Sequence, residues 1–181
     1  MAVGLCLVLS ASILLLAAQP KSNMPTLVRL EEVNPGGMLT EETCTIVYID
    51  STYHSERTVR RSGERPTSNV FEGALSTAEM NKLIRIVKSD AFLELKPPLT
   101  QSRRSVMEDF HLVRVTVPRA SGIQDLQYPT ADSRKGTEKT LGPLLGWWKG
   151  LRKHLPPALE HGASNQCLPS SVATADGAPS Y

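Results

Sequence analysis

Rings are scarce in this chain: two Trp, four Tyr and three Phe make up only 5% of its 181 residues. The core must therefore rest mainly on aliphatic side chains, with each buried ring covering a large share of it. Cysteine is scarcer still. Cys6, Cys44 and Cys167 are the complete set, too few for a disulfide-rich scaffold and too scattered for a paired-cysteine zinc module. The histidines, His54, His111, His154 and His161, are equally dispersed, and no metal site is expected from them. Neither charge dominates. The 20 Lys and Arg against 18 Asp and Glu leave a net +2, spread along the chain rather than gathered on one basic element, so nucleic acid is not an expected partner. A nucleophile elbow, a phosphate-cradling glycine loop and a His-Glu helix motif are all missing, and no cofactor is implied.

The one long apolar run stands at the front. Residues 1–19, MAVGLCLVLSASILLLAAQ, end in small residues at Ala17-Ala18 and have the form of a secretory signal cleaved near Ala18 or Gln19. No Lys or Arg precedes the run, which departs from the usual signal pattern. The competing reading is a membrane anchor over residues 3–18, for which the run is marginally short. Export to the periplasm or the extracellular space is the expectation. With the signal removed, Cys44 and Cys167 remain, and in an oxidising compartment they either bridge or leave Cys44 as a buried free thiol. A hydrophobic share of 40% supports one core, placed at residues 26–155, followed by a small, polar tail over 156–181 that is expected to be disordered.

The best-signalled element is the helical stretch Leu75 to Leu95. Ser76 and Glu79 have capping-box spacing, and Leu75 and Met80 have that of a hydrophobic staple. Met80, Leu83, Ile84 and Val87 follow on one face, with Lys82, Arg85 and Lys88 turned outward and Ile86 at the edge, until Pro97-Pro98 ends any helix. Its apolar face is expected to meet the Val113, Val115 and Val117 face of a strand at residues 110–117. Upstream, TLVRLEEV reads as an extended segment or edge strand closed by Asn34-Pro35-Gly36-Gly37. Cys44 to Ile49 is apolar on both faces, as in a central strand. Tyr53 to Arg61 is strongly polar and is placed toward an edge. SGERPTSN, residues 62–69, reads as a loop before a short strand at Val70–Gly73, and IQDLQY as a hairpin partner of the 110–117 strand ending at Pro129.

A second helix is expected from Leu141 to Leu155, with Thr140 as N-cap and Pro143 in the first turn. Leu141, Leu144, Leu145, Trp147, Trp148, Leu151 and Leu155 share its apolar arc. Gly142, Gly146 and Gly150 lie beside the lysines and weaken the helix, by about 1 kcal/mol each relative to alanine. Trp147 and Trp148, next to Lys149, Arg152 and Lys153, carry two readings. Either the indoles close the core, or the helix binds a membrane surface or an envelope protein. Asp109 and His111 can share a strand face as a carboxylate–imidazole pair, but no nucleophile or oxyanion donor accompanies them. Hydrolysis there is an alternative to a structural His111.

CTIVYIDSTYHSERTVRR, VFEGALSTAEMNKLIRIVKSDAFLEL, FHLVRVTVPRA and LGPLLGWWKGLRKH, within residues 43–155, resemble a group of small exported bacterial proteins of unknown function. The resemblance implies export and a strand pair feeding a capped helix, and it brings no catalytic residues. The expected architecture is α+β, a small antiparallel sheet with two helices packed on one face. The expected role is a non-enzymatic, exported or envelope-associated domain that binds a partner.

Overall fold

The computed structural model describes residues 25–97, 110–159 and Cys167. The signal or anchor expected at residues 1–19, Asp109, and all of the 156–181 tail except 156–159 and Cys167 lie outside the described residues.

Six strands form one antiparallel sheet in the order β4-β3-β2-β1-β5-β6. They are β1 (Thr26–Gly36), β2 (Leu39–Tyr48), β3 (Thr52–Arg61), β4 (Thr67–Ala74), β5 (Phe110–Arg119) and β6 (Gly122–Thr130). Helices α1 (Thr77–Val87), α2 (Asp90–Leu93) and α3 (Glu138–Lys153) complete the mixed α+β domain, with a short 3-10 turn at Asp132–Arg134.

Two strands lie deeper than their sequences suggest. β1 is not an edge strand, because Leu30 sits opposite Thr45 of β2 on one side and Val115 of β5 on the other. Its alternation explains this: Val28 and Leu30 enter the core, while Arg29 and Glu31 pair with each other on the opposite face. β3 is not at an edge either. It lies between β2 and β4, and Tyr53, His54, Ser55 and Glu56 are buried. The polarity that suggested exposure is satisfied internally, since Ser55 and Thr45 share a 2.8 Å hydroxyl hydrogen bond and His54 sits between carboxylates. The actual edges are β4 and β6. β4 begins at Thr67, inside the segment expected as loop, and β6 runs through Pro129, whose missing N–H is tolerable on an edge strand. Gly73 of β4 lies under the Tyr53 ring, where a Cβ would fall 2.6 Å from the Tyr53 hydroxyl, so a side chain there has no room.

The cap of α1 follows the sequence closely. Ser76 Oγ accepts from the Glu79 N–H at 3.2 Å, and Glu79 Oε2 accepts from the Ser76 N–H at 2.9 Å. Hydrogen bonds from Ser76 hold the Glu79 carboxyl below the usual carboxylate range. Ser76→Ala is expected to cost about 1 kcal/mol in a denaturant melt, because an orphan first-turn amide loses its acceptor. The expected 75–95 stretch is broken at Ser89, whose Oγ accepts from the Phe92 N–H at 3.3 Å and starts α2 as a separate turn. α3 starts earlier than expected, at Glu138, with Thr137 rather than Thr140 at its N-cap. The Thr137 hydroxyl donates to the Arg134 carbonyl at 2.7 Å, so it caps the preceding 3-10 turn instead of α3. Pro143 therefore falls inside the helix rather than in its first turn.

One main core joins the alternate residues Val28, Leu30, Val47, Val113, Val115, Val117, Leu126 and Tyr128 of the sheet with Met80, Leu83 and Val87 of α1, Phe92 of α2, and Leu141, Leu144, Trp147 and Trp148 of α3. Ile84 and Ile86 pack against it at its margin. Trp148 is its largest fully buried side chain, and its indole N–H donates to Thr45 Oγ1 at 2.8 Å. A smaller cluster of Cys44, Ile46 and Tyr48 lies on the other face of β2, with Cys167 packed on it.

Candidate functional site

Residues opposite each other in an antiparallel pair share a face. Ile46 opposes His54, Cys44 opposes Glu56, and His54 in turn opposes Glu72. Cys44, His54, Glu56 and Glu72 are thereby gathered on the sheet face away from the main core, under Cys167. The fully buried His54 ring has Nε2 2.7 Å from Glu56 Oε1 and Nδ1 3.2 Å from Glu72 Oε1. Burial alone would push the imidazole pKa down, but the hydrogen bonds and charges of Glu56 and Glu72 outweigh it and raise it.

Cys44 and Cys167 form a disulfide, with Cα atoms 5.8 Å apart across a sequence separation of 123. Two further contacts hold Cys167. Its N–H donates to Glu56 Oε1 at 3.3 Å, and its carbonyl accepts from Arg29 Nη2 at 3.4 Å. The ligand atoms of His54, Glu56 and Cys167 all lie within 4.8 Å of one another. A His-x-Glu pair on one strand face is legible in the 2-residue alternation of β3. Its meeting with Cys167 has no local signal, because it spans more than a hundred residues of chain.

Apart from Cys44 and Cys167, the residues singled out from sequence lie elsewhere. His111 is half-buried on β5, where Nε2 is 2.8 Å from Glu32 Oε1 and Nδ1 accepts from Arg134 Nη2 at 3.3 Å. Both ring nitrogens are engaged in holding strands and the 3-10 turn together, while Asp109 is outside the described residues. Glu32 also pairs with Arg152 of α3, whose guanidinium stacks 4.4 Å from the centre of the Trp148 ring. Burial tends to raise the Glu32 pKa, yet Arg152 and His111 outweigh it and hold the carboxyl below its ordinary value. A carboxyl that titrates lower when folded stabilises fully above its unfolded pKa, about 4.3, and that stabilisation is lost as pH falls through the folded pKa. Glu32→Gln should cost about 1 kcal/mol at pH 7 and flatten the acid limb of a stability-versus-pH curve.

Trp147 and Trp148 are buried in the main core, with Trp147 also lining the cleft between α1 and α3. A small sheet domain short of rings uses both to close its core. Arg152 is committed to Glu32, and only Lys149 and Lys153 of the basic set are exposed. Between α1 and α3 a cleft of about 370 Å³ is lined by Tyr53, Leu75, Trp147 and Leu151, with Glu79 and His154 at its rim. Gly146 and Gly150 also line it, and a Cβ at either would meet nothing within 4 Å. Packing therefore does not require these glycines. Gly146→Ala and Gly150→Ala are each expected to stabilise α3 by about 0.5–1 kcal/mol, read as a raised melting temperature.

No family model matches the chain, and no curated protein does. No helix among the described residues is long and apolar enough to cross a membrane.

Proposed function

We propose that this chain is an exported or envelope-associated, non-enzymatic binding domain. The observation that carries the reading is the Cys44–Cys167 disulfide, because such bonds persist in oxidising compartments and are uncommon in reducing ones. The apolar run at residues 1–19, with its small residues at Ala17-Ala18, agrees with export. So does the resemblance of residues 43–155 to small exported bacterial proteins. In this reading α1 and α3 both lie on one face of the sheet. The single core uniting both helices with alternate strand residues supports that arrangement.

The binding surface is assigned to the cleft between α1 and α3. Its volume falls in the lower part of the ~300–1,000 Å³ range of small-molecule sites. It also contains two glycines that weaken a helix without serving its packing, a cost in stability that a functional surface can explain.

The test is fractionation of the tagged full-length protein, with N-terminal sequencing and thiol labelling of the product. Export predicts a mature terminus near Gln19 and two unlabelled cysteines in the envelope or secreted fraction. A cytoplasmic product with an intact Met1 terminus and reactive Cys44 would overturn the reading.

A further inference from the structure

The patch around Cys167 holds more donor groups than a structural disulfide needs. We propose that, once the Cys44–Cys167 disulfide is reduced, this patch becomes a tetrahedral site for zinc or a closely similar divalent cation, bound by Cys44 Sγ, Cys167 Sγ, His54 Nε2 and one Glu56 oxygen. The donor chemistry is that of a zinc centre: two thiolates, an imidazole and a carboxylate suit a borderline cation better than calcium or magnesium. Three of these ligand atoms already lie within 4.8 Å of one another, and Cys44 joins them through its bond to Cys167. At zinc bond lengths of about 2.0–2.3 Å, tetrahedral ligands sit roughly 3.3–3.8 Å apart. The sulfurs must part, and Glu56 must draw back slightly from its 2.7 Å contact with His54.

The second observation is Glu72. Metal-bound histidines nearly always give their other ring N–H to a carboxylate or carbonyl, which fixes the ring and its tautomer. Glu72 Oε1 stands 3.2 Å from His54 Nδ1, leaving Nε2 as the ligand atom. Glu56 and Arg29 also hold the Cys167 backbone, so cleavage of the S–S bond does not by itself release that residue.

The chemistry balances in two steps. A dithiol or phosphine reductant supplies two electrons to the S–S bond and is itself oxidised, the dithiol to a cyclic disulfide or the phosphine, with the oxygen of one water, to a phosphine oxide. The two sulfurs take up two protons and become thiols. The cation then binds both as thiolates, and the two thiol protons, with the proton on His54 Nε2, pass to solvent. A two-electron oxidant such as hydrogen peroxide or a small-molecule disulfide takes two electrons from the thiolates and is itself reduced, to water or to two thiols, with protons from solvent. The re-formed disulfide expels the cation. The site is thus closed by a covalent bond or by a metal, never by both. This inference stands on the site's geometry and is independent of where the protein resides.

The experiment titrates the full chain with Zn²⁺ in oxidised and phosphine-reduced forms, with Co²⁺ as a spectroscopic probe and circular dichroism as a check on folding. The expected result is one Zn²⁺ per reduced chain, at least about 100-fold tighter than for the oxidised chain, with sulfur-to-cobalt charge-transfer absorption. Glu72→Gln should weaken binding by about 10–100-fold while retaining all four ligands. Cys167→Ser, whose side chain lies outside the main core, should weaken it further and reduce the charge-transfer band. Equal affinity in the two redox forms would overturn the proposal. So would no binding to the folded reduced chain, unfolding on reduction, or indifference to both substitutions.

Discussion

Leu83→Asp is expected to abolish the native fold, leaving a chain with no cooperative melt. Leu83 is completely buried in the core that joins α1 to the sheet. Replacing it removes about 2–5 kcal/mol of packing and places a carboxylate where no cation lies within the apolar cluster. Total stabilities of small domains are only about 5–15 kcal/mol, so the sum takes most or all of what is available. Lys82→Ala, one residue away on the exposed side of the same helix, should change the melt by no more than about 0.5 kcal/mol. The intermediate case is Ile84→Asp. Ile84 packs only at the core margin, so its carboxylate can turn to water and the variant should fold with reduced stability. Equal damage at positions 82 and 83 would show that the buried face of α1 is misassigned.

Trp148→Ala is expected to cost about 3–5 kcal/mol, since the cavity left by an indole at 1% exposure cannot be filled from a chain with so few rings. The conservative Trp148→Phe separates two contributions. It keeps most of the ring volume but deletes the N–H that reaches Thr45 Oγ1, itself shared with Ser55 Oγ. A loss of about 1–2 kcal/mol is expected for the broken hydrogen bond and smaller ring. Arg152 also loses its stacking partner in the alanine variant while keeping Glu32, so the two deletions at positions 148 and 152 should be non-additive. Fluorescence of the unmodified protein should be blue-shifted, because both indoles are buried.

Local chemistry made much of this fold legible. The Ser76–Glu79 cap, the Met80, Leu83 and Val87 face and the valine face of β5 all depend on spacings of two to four residues, and all appear in the structure. Strand order does not depend on such spacings. TLVRLEEV carries Arg29, Glu31 and Glu32 whether it lies at an edge or in the middle. Pairing of Arg29 with Glu31 and of Arg114 with Asp125 on the face away from the main core, and of Glu32 with Arg152 and His111, lets it be central. The buried polar run of β3 was obscured in the same way, because His54 and Ser55 find partners on neighbouring strands and Glu56 is met by His54 and the distant Cys167 N–H. The start of α3 was displaced because Thr137 and Thr140 both have capping chemistry, and only the preceding 3-10 turn decides between them. The His54 site was the least accessible. Its components come from β2, the β3–β4 hairpin and a residue near the C-terminal end, and no sequence window contains them together.

The disulfide has a topological consequence. Joining Cys44 to Cys167 makes a covalent ring that begins within β2 and takes in β3, β4, both main helices, β5 and β6. β1, at Thr26–Gly36, lies outside that ring, although it is the strand that separates β2 from β5 in the sheet. The ring therefore holds two ribbons, β4-β3-β2 and β5-β6, with a slot one strand wide between them. The hydrogen-bond ladders, buried Val28 and Leu30, and the contacts of Glu32 with Arg152 and His111 keep the keystone strand seated in that slot. Closing the ring limits the wandering of the unfolded chain, but continuity of the sheet still depends on a segment that the bond leaves free.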